Sequence, residues 1–456
     1  MAPQGVVNFC EPPGCRVETH GLEQATRRRV AVRLLPFVFL MYIISYVDRV
    51  NVSFANLRMS ADLGFSDRIF GLGAGIFFVG YVLFEIPGAV IVERWSARKW
   101  MARIMISWGL VTIVTGFVRT AGQFYAARFL LGVAEASFFP GMIVYLTHWF
   151  RLSDRAKAIA SLYAAVPAAS VLGSVLAGWL LTIKWFGITG WRWLFVVEGI
   201  PPVVVGIVAL FYLTDRPAQA GWLSEAERNW ILHELEAENA AKKKVRSYTV
   251  WQALTDRRVL MLIVPYFLAH IGAQASIFWI PTFIKRLSGL PASRVALLVA
   301  LPGLLGILGM LLNGWHSDRT GERRWHASAP LVCAGVAYLL IGSGSNFSIS
   351  ISLLVLGGGI FFSYYPVFWS IPTMVLSETA AAASFGMINS IGHIGGFIGP
   401  YAVGRLNDRT GSLLGAFLLI AVCSLLAGTV LAFITIPSPV SSTAASLSGK
   451  QDPAAP

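Results

Sequence analysis

Long apolar runs alternate with short polar breaks from one end of this chain to the other. Twelve runs of about 20 residues, each long enough to cross a hydrocarbon core as a helix, begin near Val30, Ile69, Met101, Gln123, Ala156, Leu194, Val259, Val295, Ser328, Ser350, Ser384 and Leu413. The ten-residue alternating strands of an outer-membrane barrel are absent from the pattern. The longest interior polar stretch, Thr214–Arg258, splits the runs six and six. Within it, Ser224 and Glu227 have the spacing of a capping box and predict a short surface helix ending near Ala241, before Lys242, Lys243 and Lys244. The expectation is an all-α membrane protein. Residues 27–214 and 258–436 form two six-helix bundles, 215–257 link them, and 1–26 and 437–456 are disordered polar tails.

Composition agrees with the pattern. Apolar residues make up 56% of the chain and charged residues 13%, against about 45–50% and 25% in soluble domains. The net charge of +13 would suit a nucleic-acid binder, but its placement does not. Basic clusters at Arg27–Arg29, Arg94–Arg103, Arg151–Lys157, Lys242–Arg246 and Arg319–Arg324 fall on one side of the twelve runs. That asymmetry predicts both termini inside and no nucleic-acid partner. The four cysteines show no zinc spacing, so neither a disulfide, a metal nor a cofactor is expected. The first apolar run is too long for a signal peptide and lacks a small-residue cleavage site.

Two breaks resemble each other. GWHSDRTGERR at Gly314–Arg324 has a weaker counterpart in AVIVERWSARK at Ala89–Lys99, where Glu93 and Arg94 stand for the acid–arginine pair. Similar loops in similar halves imply a duplicated body, the design of many secondary transporters. Asp318, Arg319 and Arg323 with Glu93 and Arg94 are therefore candidate gating residues. An acid beside a helix N-terminus and arginines could make a lock that breaks and re-forms. A third DRTG, Asp408–Gly411, falls on the opposite side and is set aside.

Charged residues inside apolar runs are costly and so carry information. In the first run Tyr42, Tyr46 and Arg49 are spaced i, i+4, i+7 on one helical face, with Asp48 on the same turn. A guanidinium can grip a carboxylate through paired hydrogen bonds. In the fourth run Arg128 and Glu135 lie seven apart on one face, about 10 Å along the axis. Glu135 is the first candidate to carry a proton, Asp48 the second, with Arg128 coupled to Glu135. Glu85, Glu198 and Glu378, near helix ends, read as structural. The second half offers Gln274 and Ser276, the aromatics Tyr364, Tyr365, Phe368 and Trp369, and Asn389 with His393 on one face; His270 and His393 are the histidines well inside runs. The aromatic group reads mainly as packing.

These motifs taken together resemble the major facilitator superfamily, and within it the organic-acid branch of the anion:cation symporters, over residues 30–435. The resemblance is carried by YVDRVNVSFA (Tyr46–Ala55), RFLLGVAEASFFPG (Arg128–Gly141), GWRWLFVVEG (Gly190–Gly199), GWLSEAER (Gly221–Arg228), GWHSDRTGERRWH (Gly314–His326) and NSIGHIGGFIGP (Asn389–Pro400). It implies the major facilitator fold, residence in a bacterial inner membrane as a monomer, and proton-coupled import of a small organic anion by alternating access. A tartrate-like hydroxy-dicarboxylate or sugar acid is the first expectation, and an aromatic carboxylate such as hydroxyphenylacetate or phthalate the alternative. By the same resemblance Arg49 holds the substrate carboxylate, Tyr46, Tyr81, Gln274, Trp369 and Asn389 line the cavity, and Asp48 and Glu135 are the protonatable acids. Two departures stand out: Glu93, Ser96 and Ala97 replace the usual Asp, Gly and basic residue, and His393 stands where the branch often has Asn. An enzyme would need a metal cluster, nucleophile or phosphate loop, and a channel would need pore rings; neither is visible.

Overall fold

A computed structural model describes residues 13–163, 165–243, 256–343, 346–375 and 378–434. The described residues form sixteen α-helices: α1 (Pro13–Leu63), α2 (Asp67–Arg94), α3 (Ala97–Thr115), α4 (Ala121–Glu135), α5 (Phe138–Thr147), α6 (Leu152–Tyr163), α7 (Ala165–Leu180), α8 (Gly190–Tyr212), α9 (Glu225–Lys243), α10 (Arg257–Ser288), α11 (Ala292–Thr320), α12 (Arg324–Ser343), α13 (Phe347–Phe362), α14 (Tyr365–Val375), α15 (Glu378–Thr410) and α16 (Leu414–Phe433). Taking α4–α5, α6–α7 and α13–α14 as broken pairs leaves twelve traverses, six before α9 and six after. Eight stretches among the described residues are long and apolar enough to cross a membrane by length and composition.

Local chemistry sets the ends. Thr120 accepts from the Gln123 amide to start α4, and Asp256 accepts from the Arg258 amide to start α10. Gly321 and Gly411 stop α11 and α15 in the left-handed region, at φ +69° and +62°. The repeated DRTG is thus, first, a helix stop, which is why it recurs on both faces. The predicted capping box closes reciprocally: the Ser224 amide donates to Glu227 at 2.8 Å, and the Glu227 amide to Ser224 Oγ at 3.3 Å.

The chain start departs from expectation. The segment 1–26 was expected to lack structure, yet α1 begins at Pro13. Ion pairs hold it: Arg151 meets Glu23 at 2.8 Å, Arg27 meets Asp154, and Arg29 reaches Glu227 at 2.7 Å. Arg151 also bonds Glu234 of α9 at 3.1 Å, and Trp149 stacks on Trp222. The polar start of α1, the α5–α6 junction and α9 thereby form one network on what is here termed the linker face. Burial opposes the charge on Arg151, but Glu234 and Glu23 outweigh it and hold its pKa above the ordinary value. Segments 1–12, 244–255 and 435–456, with the tail 437–456, lie outside the described residues.

The halves meet along α2 and α15, and the character of that seam changes along its length. At the far face it is glycine-tight. A Cβ at Gly71 would lie 2.5 Å from the Pro400 carbonyl oxygen, and one at Gly404 would lie 2.4 Å from that of Asp67. No side chain fits there, so backbones touch. Phe70 packs edge-on to Trp279, Asn56 donates to Thr282 at 3.1 Å, and Arg286 meets Asp67 at 2.5 Å. One apolar core runs through the first half and across this end into α10–α13, α15 and α16, while a second lies wholly in the second half. Nearer the linker face the seam becomes polar: Glu85 accepts from Asn389 Nδ2 at 3.1 Å and from Ser390 Oγ at 2.8 Å.

Candidate functional site

A cavity lies between the halves. Its walls include Tyr42, Ser45, Tyr46 and Arg49 of α1, Tyr81 of α2 and Phe138 and Phe139 of α5. From the second half come Tyr266, His270 and Gln274 of α10, Tyr365 and Trp369 of α14, and Asn389 and His393 of α15. The i, i+4, i+7 spacing of Tyr42, Tyr46 and Arg49 presents all three to it.

Arg49 is the guanidinium of this cavity wall. It donates to Glu135 Oε1, and Ser45 Oγ donates to the same oxygen at 3.0 Å. Aromatic faces collar it: its Cζ lies 5.2 Å from the Tyr46 ring, 5.6 Å from Phe77 and 5.5 Å from Tyr81. Arg49 keeps 11% of its side chain exposed while Glu135 keeps 2%. The ion pair is therefore reachable from its arginine side.

No direct ion pair joins Arg128 to Glu135; Arg49 makes that contact. Arg128 turns toward α2, where Nε donates to the Gly73 carbonyl at 3.4 Å and the guanidinium covers Phe77 at 5.0 Å. The reason is a break in the fourth run that its apolar pattern does not show. α4 ends at Glu135, and Ser137 takes φ +70°, a left-handed conformation uncommon for a side chain with Cβ. Ser137 Oγ, bonded to the Phe84 and Glu85 carbonyls at 3.1 and 2.9 Å, holds the break in place. A carboxylate at a helix C-terminus sits against the negative end of the dipole, and Arg49 compensates it. The signal available was Pro140–Gly141 soon after Glu135.

Asp48 faces away from the cavity, into the first half, where it accepts from Asn51 Nδ2 and Thr112 Oγ1, each at 2.8 Å. Tyr46, Tyr81, Gln274, Trp369, Asn389 and His393 all line the cavity with Arg49. The aromatic group of the tenth run divides: Tyr364 and Phe368 are core, while Tyr365 and Trp369 reach the cavity. Glu85, which reads as structural, is bonded across the seam to a lining residue. Its signal was a carboxylate inside a run, close to Pro87.

Of the candidate gating residues, Asp318 meets Arg323 at 2.6 Å, and Arg319 covers Trp315 at 5.6 Å. The side chains of Glu93 and Arg94 lie outside the described residues. At that end Asp215 serves the upstream loop, accepting from Ser96 Oγ at 2.8 Å and the Arg98 amide at 2.9 Å. Ser96, a departure from the usual glycine, caps α3.

The sequence model described as Major Facilitator Superfamily matches residues 38–400. The chain belongs to that superfamily. It is an integral membrane transporter rather than an enzyme. One relative from Agrobacterium vitis, named "Putative tartrate transporter", is 46% identical over 403 residues, 88% of this chain and 92% of that one. A second of the same name and organism is 44% identical over 426 residues, 93% and 94% of the two chains. Among solved structures, a D-xylose–proton symporter superposes with a TM-score of 0.72 at 12% identity, covering 89% of this chain and 98% of that one. That likeness speaks for the fold alone.

Proposed function

We propose that this transporter imports a small organic anion together with protons by alternating access, acting as a monomer in a bacterial inner membrane with the linker face cytoplasmic. The basic clusters on the linker face support that orientation. The relatives named for tartrate favour a hydroxy-dicarboxylate, and the aromatic lining leaves an aromatic acid as the second reading.

The ion pair of Arg49 with Glu135 carries the proposal. A buried guanidinium needs an anion. Glu135 fills that need while the site is empty, and a substrate carboxylate can fill it only if Glu135 gives way. A proton on Glu135 is the simplest way to release Arg49. Proton and anion then bind together, because either alone leaves a buried charge uncompensated. Asp48, held behind the cavity by Asn51 and Thr112, is the second proton station. The acid–arginine loops at Asp318, Arg319 and Arg323, and at Glu93 and Arg94, latch the linker face. The two bundles, 27–214 and 258–436, rock about the α2–α15 seam, joined by the 215–257 linker.

The test is uptake of labelled tartrate into vesicles with an imposed proton gradient. Accumulation that collapses with a protonophore, and counterflow from preloaded vesicles, are expected. Entry insensitive to both would overturn the proposal.

A further inference from the structure

Two histidines face the cavity with one nitrogen engaged and one not. His270 and His393 are 5% and 6% exposed, and their rings lie 5.4 Å apart. Each has a carboxamide one turn away on its own helix. Gln274 Nε2 lies 3.3 Å from His270 Nε2, and Asn389 Nδ2 lies 3.2 Å from His393 Nε2. Both Nδ1 atoms are buried with no protein partner.

Hydrogen-bond logic fixes where the protons are. Glu85 Oε1 accepts, so Asn389 must turn its NH2 toward it. The second hydrogen of that NH2 faces His393 Nε2, which must then accept. An imidazole that accepts at Nε2 carries its proton on Nδ1. With its NH2 toward His270 Nε2, Gln274 favours the same tautomer there. Two N–H donors are left without acceptors in the wall across from Arg49, and Trp369 Nε1 is a third. Buried donors are rarely left unmatched, and an oxygen carried by a ligand in this cavity would match them.

We infer that His270 and His393 form a neutral donor subsite for a second oxygen-bearing group of the substrate, and that Glu85, through Asn389, is the positioning residue that sets the proton of His393. This inference rests on the anion-transport reading above. Arg49 takes one carboxylate, and the imidazole N–H groups take an oxygen at the other end. The subsite suits a hydroxy-dicarboxylate better than a monocarboxylate ending in a methyl group.

Two arms test it. In the first, the full chain carrying 15N-histidine is placed in lipid nanodiscs, and the His270 and His393 signals are assigned by their loss in His270→Phe and His393→Phe. Both should report Nδ1–H. Glu85→Gln, which lets the Asn389 amide turn either way, should mix the tautomers of His393 and leave His270 alone. Ser390→Ala removes the other bond to Glu85 and should change neither, whereas a merely structural seam would respond to both substitutions. Nε2–H at His393 in the unaltered protein, or no response to Glu85→Gln, would overturn the inference. In the second arm, His393→Phe should raise the half-saturating concentration for tartrate counterflow about tenfold or more and change that for lactate little. Equal changes for both acids would overturn the subsite. If the unaltered protein exchanges neither acid, the anion-transport reading fails, and the tautomer arm still decides the proton placement.

Discussion

The two walls of the cavity are built from different chemistry. The first half brings the ions: Arg49 in the cavity wall, with its buried partner Glu135 and with Asp48 and Arg128 in the first-half interior. The second half brings neutral polar and aromatic groups: His270, Gln274, Tyr365, Trp369, Asn389 and His393. Duplicated halves need not share duties. A wall of charges can couple a proton to an anion, because protonating one member changes what the other must hold. A wall of fixed neutral donors cannot couple charge, but it can read shape and hydrogen-bonding pattern. The contrast assigns coupling to one half and recognition to the other, and substitutions should separate them.

The largest effect is expected at Arg49. Arg49→Ala should lower tartrate uptake by about a hundredfold or more, since it leaves Glu135 buried without its cation, while the amount in the membrane is unchanged. Normal uptake would remove Arg49 from the site. Glu135→Gln should abolish accumulation driven by a proton gradient and flatten the dependence of uptake on external pH, yet keep counterflow within about tenfold of the unaltered protein. Such a variant that still accumulates would move the proton elsewhere. If the division of labour holds, the second-half variants should change substrate preference without changing proton coupling.

The seam offers a smaller effect. Gly404→Ala drives a Cβ into the Asp67 carbonyl, and such overpacking costs about 1–3 kcal/mol. The far face should open more often. In that background Thr282→Cys, beside Asn56, should react about fivefold faster or more with a thiol reagent applied from that side. An unchanged rate would mean that the glycine contact does not keep this end shut.

The smallest effect lies in the linker-face loop. Burial raises the pKa of Glu322, but hydrogen bonds from the Trp325 and His326 amides, at 2.7 and 3.3 Å, and from the His326 side chain outweigh it and leave it below the ordinary carboxylate value. A depressed pKa stabilises the fold above the ordinary value, and that contribution is lost as pH falls through the depressed one. Glu322→Ala should lower stability by about 1 kcal/mol at neutral pH, and the difference from the unaltered protein should shrink in acid. Thermal unfolding at several pH values checks this.

Much of the fold was written in the periodicity. Runs of apolar residues announce traverses because a hydrocarbon core admits little else, and the Ser224–Glu227 spacing announced its cap. The start of α1 was not visible, because its helix depends on Arg27, Arg29 and Arg151 finding acids far away in sequence. The lining residues were legible where one helical face gathers them, as with Tyr42, Tyr46 and Arg49. Pairing was harder. Helical spacing suggested Arg128 for Glu135, but the backbone turn at Ser137 gave it Arg49. Glu85 looked like a helix-end acid because its partners, Asn389 and Ser390, lie more than 300 positions away.

The coupling claim can be counted directly. Calorimetric titration of the purified protein with tartrate, in two buffers that differ in ionisation heat, reports protons exchanged on binding. Release of Arg49 by protonation of Glu135 predicts uptake of close to one proton per anion, and no uptake in Glu135→Gln. A binding heat independent of buffer in the unaltered protein would contradict the account.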